Sequence, residues 1–246
     1  MLNRHSVGGS SFSGLVLKGS EVHIWLVETN DNSTSAEDFK DLLSSAEQDR
    51  ASRFKFETDR RRYVTAHWAL RSILSIYVNS PAQGLQFESG PYGKPKLVPI
   101  HAGKRFEFNL SHSHEIALIA FTHGREIGVD VEYVKKDFPI HDVAERFFTP
   151  KEVTALKALP AGLQREAFFK CWTSKEAFLK AKGTGLSGKL DEVEITLVGG
   201  QQVRIDAKVP GWSLAEVDAG NGYAAALVSE GAPAQVHLYQ WQPEFI

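Results

Sequence analysis

Residues 127–134 read IGVDVEYV, a run of β-prone residues interrupted by two acids, Asp130 and Glu132. The alternation predicts a strand with Val129, Val131 and Tyr133 on one face and Asp130 and Glu132 on the other. Same-face neighbours on a strand lie roughly 7 Å apart, where two carboxylates repel by about 2 kcal/mol at an effective dielectric near 20. A solvated edge strand tolerates such a pair. So does a strand that lends both acids to one cation.

Working outward, a helix is expected over 166–182, with Glu176 and Lys180 four apart on one face. That spacing is ordinary for a surface ion pair. Phe169 and Trp172 share or flank this face, however, so part of it is expected to be buried, and a buried acid needs a partner. Three converging carboxylates suit a hard cation such as magnesium. No His/Cys cluster has the spacing of a zinc site. Thr149-Pro150-Lys151-Glu152 predicts a capped helix start, and Gly183 a helix stop.

Upstream, EVHIWLV (21–27) alternates like a half-buried strand, and Ser35 with Asp38 and Ser44 with Glu47 resemble capping boxes. A longer helix is expected from Thr58, since Ala66, Ala69, Leu70, Ile73 and Tyr77 fall at helical spacing. Arg60, Arg61 and Arg62 crowd its first turn, where the helix dipole disfavours cations. They form either a solvated charge run or the seat of a polyanion. GPYGKP (90–95) predicts a rigid loop around Lys94, and SHSH (111–114) a connection between strands FEFNL and EIALIAF. EIALIAF-THGRE-IGVDVEY is echoed by YAAALVS-EGAPA-QVHLYQW, which predicts a duplicated α+β unit ending in such a hairpin.

The 246 residues carry a net charge of −2, with 24% charged and 42% hydrophobic residues, which suits one large domain or two small ones. Nothing in that balance points to nucleic acid or an anionic membrane. The single cysteine, Cys171, excludes an intramolecular disulfide and is expected to be a packed thiol. The Gly/Ser-rich start lacks the apolar stretch of a signal peptide, and no run reaches membrane-spanning length. A soluble, cytoplasmic monomer is expected.

YGKP (92–95), FNLSHS (108–113), IGVDVE (127–132), RFFTPKE (146–152) and CWTSKEAFLKAKGTGL (171–186) occur in the order and spacing of the 4′-phosphopantetheinyl transferases. The chain resembles the long, pseudo-dimeric Sfp type from about Ser44 to Leu186. The resemblance implies an α+β fold of two similar lobes related by a pseudo-twofold, each with a small antiparallel sheet and packed helices. The lobes would span 1–124, with 1–20 flexible, and 125–246, with coenzyme A in the cleft between them.

By the same resemblance Asp130, Glu132 and Glu176 correspond to magnesium ligands, and Lys180 to a lysine at the pyrophosphate. Lys94, Ser111 and His112 correspond to contacts with coenzyme A phosphates, Arg62 to a basic residue at the nucleotide end, and Glu152 to a candidate base. Some relatives place two cations three apart near the 3′-phosphate; here Glu47 and Arg50 stand there, leaving Arg50 as half of that clamp. The implied reaction is attack of a serine hydroxyl of an apo acyl or peptidyl carrier protein on coenzyme A, releasing adenosine 3′,5′-bisphosphate. A magnesium-dependent hydrolase of a nucleotide pyrophosphate and a non-catalytic coenzyme A or carrier-binding module are the alternatives.

Overall fold

The computed structural model describes residues 3–5, 15–30, 42–99, 105–185, 190, 193–198, 204–206 and 209–242. After a short strand β1 (Asn3–His5), the chain runs twice along one path of strand, helices and hairpin. The first pass is β2 (Glu21–Glu28), α1 (Ser45–Ser52), α2 (Glu57–Val78) and the hairpin β5 (Phe106–Ser113) to β6 (Ile116–His123). The second is β7 (Ile127–Tyr133), α3 (Ile140–Phe147), α4 (Pro150–Ala158), α5 (Ala161–Lys182) and the hairpin β10 (Trp212–Glu216) to β11 (Tyr223–Glu230). Two short ribbons, β3 (Phe87–Ser89) with β4 (Pro95–Leu97) and β8 (Thr196–Val198) with β9 (Arg204–Asp206), interrupt the passes. Strand β12 (Gln235–Gln240) follows β11.

The architecture is α+β, and the repeat is real, but its hairpins lie elsewhere than the sequence echo places them. β6 and β7 are not paired, nor are β11 and β12; β6 and β12 belong to a five-stranded sheet in the order β1-β12-β2-β6-β5, β7 and β11 to a three-stranded sheet in the order β10-β11-β7. Each echo therefore spans an exchange of sheets. The matching cores are β2-β6-β5 and β7-β11-β10, in which the first strand of each pass pairs antiparallel with the last. The larger sheet is also mixed rather than antiparallel, because β12 runs parallel to both β2 and β1.

The chain divides into two compact units, Met1–Glu88 with Pro95–Gly124 and Gln235–Ile246, and Ser89–Lys94 with Arg125–Ala234. Residues 235–246, expected in the second lobe, join the first because β12 hydrogen-bonds along β2. Residues 89–94, expected in the first, join the second.

In the first unit α2 covers the sheet: Ala66, Ala69, Leu70 and Ile73 pack against Trp25, Phe108, Ala117, Ile119 and Phe121. These are the apolar positions that helical spacing selects. In the second unit Phe168, Phe169, Cys171, Ala177, Phe178 and Ala181 of α5 pack with Ala224, Ala226 and Val228 of β11. Cys171 is fully buried, and burial pushes its thiol pKa up, so it is an inert core thiol.

Helix ends obey the local signals. Ser44 and Thr149 close complete capping boxes with Glu47 and Glu152, and Gly183 ends α5 in the left-handed region at φ 69°. SHSH is not a loop: β5 continues through Ser113, and the reversal falls at His114, which takes φ 54°. The helix expected at Ser35 lies outside the described residues, as does most of the N-terminal tail.

Gly128 fixes how closely β7 meets α5. A Cβ there would lie 2.1 Å from the Ala177 carbonyl oxygen and 2.3 Å from the Ala181 nitrogen, both backbone atoms that cannot swing aside. Overpacking of this kind costs about 1–3 kcal/mol or more. Gly128→Ala is therefore expected to lower the melting temperature by about 3–10 °C. Thermal unfolding followed by circular dichroism is the check, and an unchanged transition would contradict so tight an approach.

Candidate active site

In the second unit, Gly128, Asp130 and Glu132 share the face of β7 that meets α5, opposite Val228, Ala226 and Ala224 of β11. The acid face is thus the helix-covered face of an edge strand. The alanines leave room for the longer acidic side chains. Asp130 is only 4% exposed, while Glu132, Glu176 and Lys180 are half-buried.

Lys180 Nζ donates to Asp130 Oδ1 at 2.7 Å, so the lysine pairs across to the strand rather than along its own helix. The Glu176 carboxyl pKa is raised, first by burial, then by the charge of Asp130 and to a lesser degree Glu132, with Lys180 opposing. Three acids near enough to disturb one another therefore face one lysine. Among the described residues no group of three or more His, Cys, Asp or Glu side chains stands ready-made around a metal position. At Asp130, one of the acids expected as ligands, the partner present is the Lys180 ammonium. The donor chemistry, carboxylate oxygens alone with surplus negative charge, fits a hard divalent cation.

Two expected site residues are engaged elsewhere. Lys94 Nζ donates to Glu126 Oε2 (2.9 Å), the Ile127 carbonyl (2.9 Å) and the Ala181 carbonyl (3.0 Å), which uses all three of its donors. It binds the start of β7 to the end of α5 and has no N–H left for a phosphate. Glu152, the candidate base, is 1% exposed. Its Oε2 accepts from the Thr149 amide (2.7 Å), and its Oε1 from the Ile195 amide (2.6 Å) and Lys175 Nζ (2.8 Å). Both oxygens face inward, because the capping box that starts α4 also lies over the buried Lys175.

The remaining expected residues lie in the first unit. Arg50, exposed on α1, holds its guanidinium 5.6 Å from the Tyr63 ring centre, and the Tyr63 and His67 rings lie against each other, centres 3.9 Å apart and tilted by 30°. His67 Nδ1 donates to the Tyr63 carbonyl (3.0 Å). Burial holds the His67 pKa down to about 4, with His112 and Arg50 adding smaller pushes and Glu47 opposing. The His67 imidazole is therefore neutral at pH 7. Ser111 is buried and His112 exposed on β5. Arg60 and Arg62 lean on Glu57 (2.9 Å) and Asp59 (3.6 Å), acids that open α2 and offset the crowding of cations at its start. The sequence reading misses Tyr63 and His67, although their i, i+4 spacing immediately after the arginines is a usable signal. Lys175 and Glu126 carry none, since only the fold shows which carboxylate meets which lysine.

The geometry defines an α+β fold whose clustered acids and lysine come from one strand and one helix. Residues 126–228 match the model of the 4′-phosphopantetheinyl transferase superfamily, and residues 32–123 that of the 4′-phosphopantetheinyl transferase N-terminal region. The chain is 37% identical over 231 residues to the 4′-phosphopantetheinyl transferase HetI of Nostoc sp., covering 94% of each. It is 29% identical to the 4′-phosphopantetheinyl transferase Sfp of Bacillus subtilis, covering 84% of this chain and 91% of that one. The chain belongs to the 4′-phosphopantetheinyl transferase family, in its Sfp-like class.

Because the folded state raises the Glu176 pKa, ionising this carboxyl destabilises the fold, and the penalty applies above its raised folded value. Glu176→Gln is expected to raise the metal-free melting temperature at pH 7. The gain should shrink as the pH falls through that raised value and disappear below the ordinary Glu range near 4.3. Melting curves of both proteins from pH 3.5 to 8 test the sign. Lys94→Met leaves Glu126 and two carbonyls without their shared donor, and a melting temperature lower by about 4–8 °C is expected. A melting temperature equal to that of the unmodified protein would mean that these three bonds do not hold the fold.

Proposed function

We propose that this protein transfers the 4′-phosphopantetheine arm of coenzyme A to a serine of an apo acyl or peptidyl carrier protein, as a cytoplasmic monomer. The observation that carries the proposal is the Asp130–Lys180 contact beside Glu176, set in the segment that matches the transferase superfamily. Among the described residues no helix is long and apolar enough to cross a membrane.

Asp130, Glu132 and Glu176 would hold magnesium. Bound there, the ion supplies Lewis-acid neutralisation of pyrophosphate oxygens. Lys180, beside Asp130, would meet the phosphate that leaves. The carrier serine oxygen bonds to the β-phosphorus as the bridging P–O bond breaks, and adenosine 3′,5′-bisphosphate departs with that electron pair. Phosphoryl transfer of this kind depends on position and charge more than on covalent help. Of the two candidate bases Glu176 is the half-exposed one and Glu152 is buried, so the serine proton would go to Glu176. Arg50, Arg62, Ser111 and His112, in the first unit, carry the cations and donors that suit phosphates.

Incubation with coenzyme A, magnesium and a panel of apo-carriers, read by mass spectrometry, is the test. At least one carrier is expected to gain the arm, with adenosine 3′,5′-bisphosphate released only when carrier is present. Release without carrier would instead mark a hydrolase, and no release in any arm a binding module. Asp130→Ala is expected to cut transfer at least a hundred-fold while the protein still melts cooperatively. Transfer within ten-fold of the unmodified rate would remove Asp130 from the site.

A further inference from the structure

The two passes of the chain contain the same buried device, and only one of them contains the acids and lysine of the candidate site. In the first pass, Glu47 occupies the third helical position of a capping box. Its Oε2 accepts from the Ser44 amide (2.7 Å), the Ser44 hydroxyl (2.8 Å) and Arg71 Nε (2.8 Å). Arg71 is 1% exposed and donates through Nη1 to the Ala82 (2.9 Å) and Leu85 (3.2 Å) carbonyls, with its guanidinium 5.0 Å from the Phe87 ring centre. In the second pass, Glu152 occupies the same capping-box position and accepts from Lys175 Nζ. Lys175 is 1% exposed and donates to the Leu190 (2.8 Å) and Val193 (2.5 Å) carbonyls, 5.6 Å from the Phe148 ring centre.

The correspondence reaches the register. Arg71 and Lys175 are each the fifteenth residue of a 22-residue helix, counted from Glu57 and Ala161, and each takes two carbonyls three residues apart. The two helices diverge just beyond these cations. The next residue is Ser72 in α2 but Glu176 in α5, and the fifth is Ile76 in α2 but Lys180 in α5. The device is thus complete in a unit that lacks the acids and lysine of the site.

We propose that Glu47–Arg71 and Glu152–Lys175 are two copies of one buried staple, and that Glu152 is a positioning residue whose carboxylate never meets the carrier serine. By clamping α5 at Lys175 to the start of α4 and to Leu190, Val193 and Ile195, the second staple fixes the roll of α5 about its axis. Glu176, the neighbouring residue, and Lys180, one turn on, are thereby aimed at β7. The kinetic part of this inference rests on the transferase activity proposed above; the pairing does not.

Charge removal in pairs provides the test. Breaking one half of a buried ion pair strands the other charge, whereas removing both is often close to neutral. Glu152→Gln and Lys175→Met are each expected to lower the melting temperature by at least about 5 °C and to slow transfer about ten-fold. The double variant Glu152→Gln/Lys175→Met, in which Gln keeps an oxygen for the α4 cap, should recover most of the melting temperature. It should also bring kcat to within about five-fold of the unmodified protein, with the pH profile of kcat unshifted. The cycle Glu47→Gln, Arg71→Met and their double should repeat the thermal pattern. Recovery of stability with kcat still a hundred-fold low would make Glu152 the proton acceptor and overturn the proposal. A double no more stable than the singles would overturn the staple itself. If the single variants do not fold, the double alone decides by the same two readouts. An unmodified protein that arms no carrier would fail the transferase reading, while the thermal cycles would still decide the pairing.

Discussion

Everything at the candidate site depends on the absence of a single methyl group. β7 lies so close to α5 that a side chain at Gly128 would enter the backbone around Ala177 and Ala181. Gly128 is not in the left-handed region, so its freedom of φ is not what matters; the space is. With the strand pressed onto the helix, Asp130 and Glu132, two and four residues further along the same face, meet the row of α5 that carries Glu176 and Lys180. Lys94 reinforces the approach by bonding both to the first residue of β7 and to Ala181 of α5.

Such proximity has an electrostatic consequence. Burial alone would push an acid towards its neutral form, and each acid added beside it pushes further. Glu176 feels both effects, and one lysine answers only part of the charge. The site is therefore held in a state that favours the arrival of positive charge, whether proton or cation. Asp130, paired at 2.7 Å with Lys180, is the point at which an incoming cation would compete with the protein's own ammonium group.

The repeated path shows one scaffold whose two long helices carry different side chains. Both passes use a capped short helix, a 22-residue helix and a hairpin whose second strand pairs with the first strand of the pass. In the first pass the long helix brings the tilted Tyr63 and His67 rings together beside Arg50; in the second it turns Glu176 and Lys180 towards β7. A buried carboxylate–cation pair fixes the roll of the helix in both, which leaves the exposed positions of each helix able to vary without loss of aim.

The amino-acid sequence by itself determined the local elements: the capped starts at Ser44 and Thr149, the stop at Gly183, the apolar stripe of α2, and a strand at 127–133 with its acids on one face. These depend on hydrogen bonds and spacings within a few residues, which sequence displays directly. It also supplied the family, through motifs of residue type and order. Only the tertiary structure decided which acid faces which cation. Glu176 and Lys180 stand at ion-pair spacing, yet Lys180 reaches Asp130, fifty residues away in sequence. Lys94 and Glu152 carry the charges that a site needs, yet both are turned inward, by Ala181, Glu126 and Ile127 in one case and by Lys175, Ile195 and Thr149 in the other. The echo of strands was legible, but the exchange of sheets was not, because pairing partners are chosen by distant strands such as β2 and β11. A charged side chain is assigned by its nearest neighbours in space, and those neighbours are set by packing rather than by sequence distance.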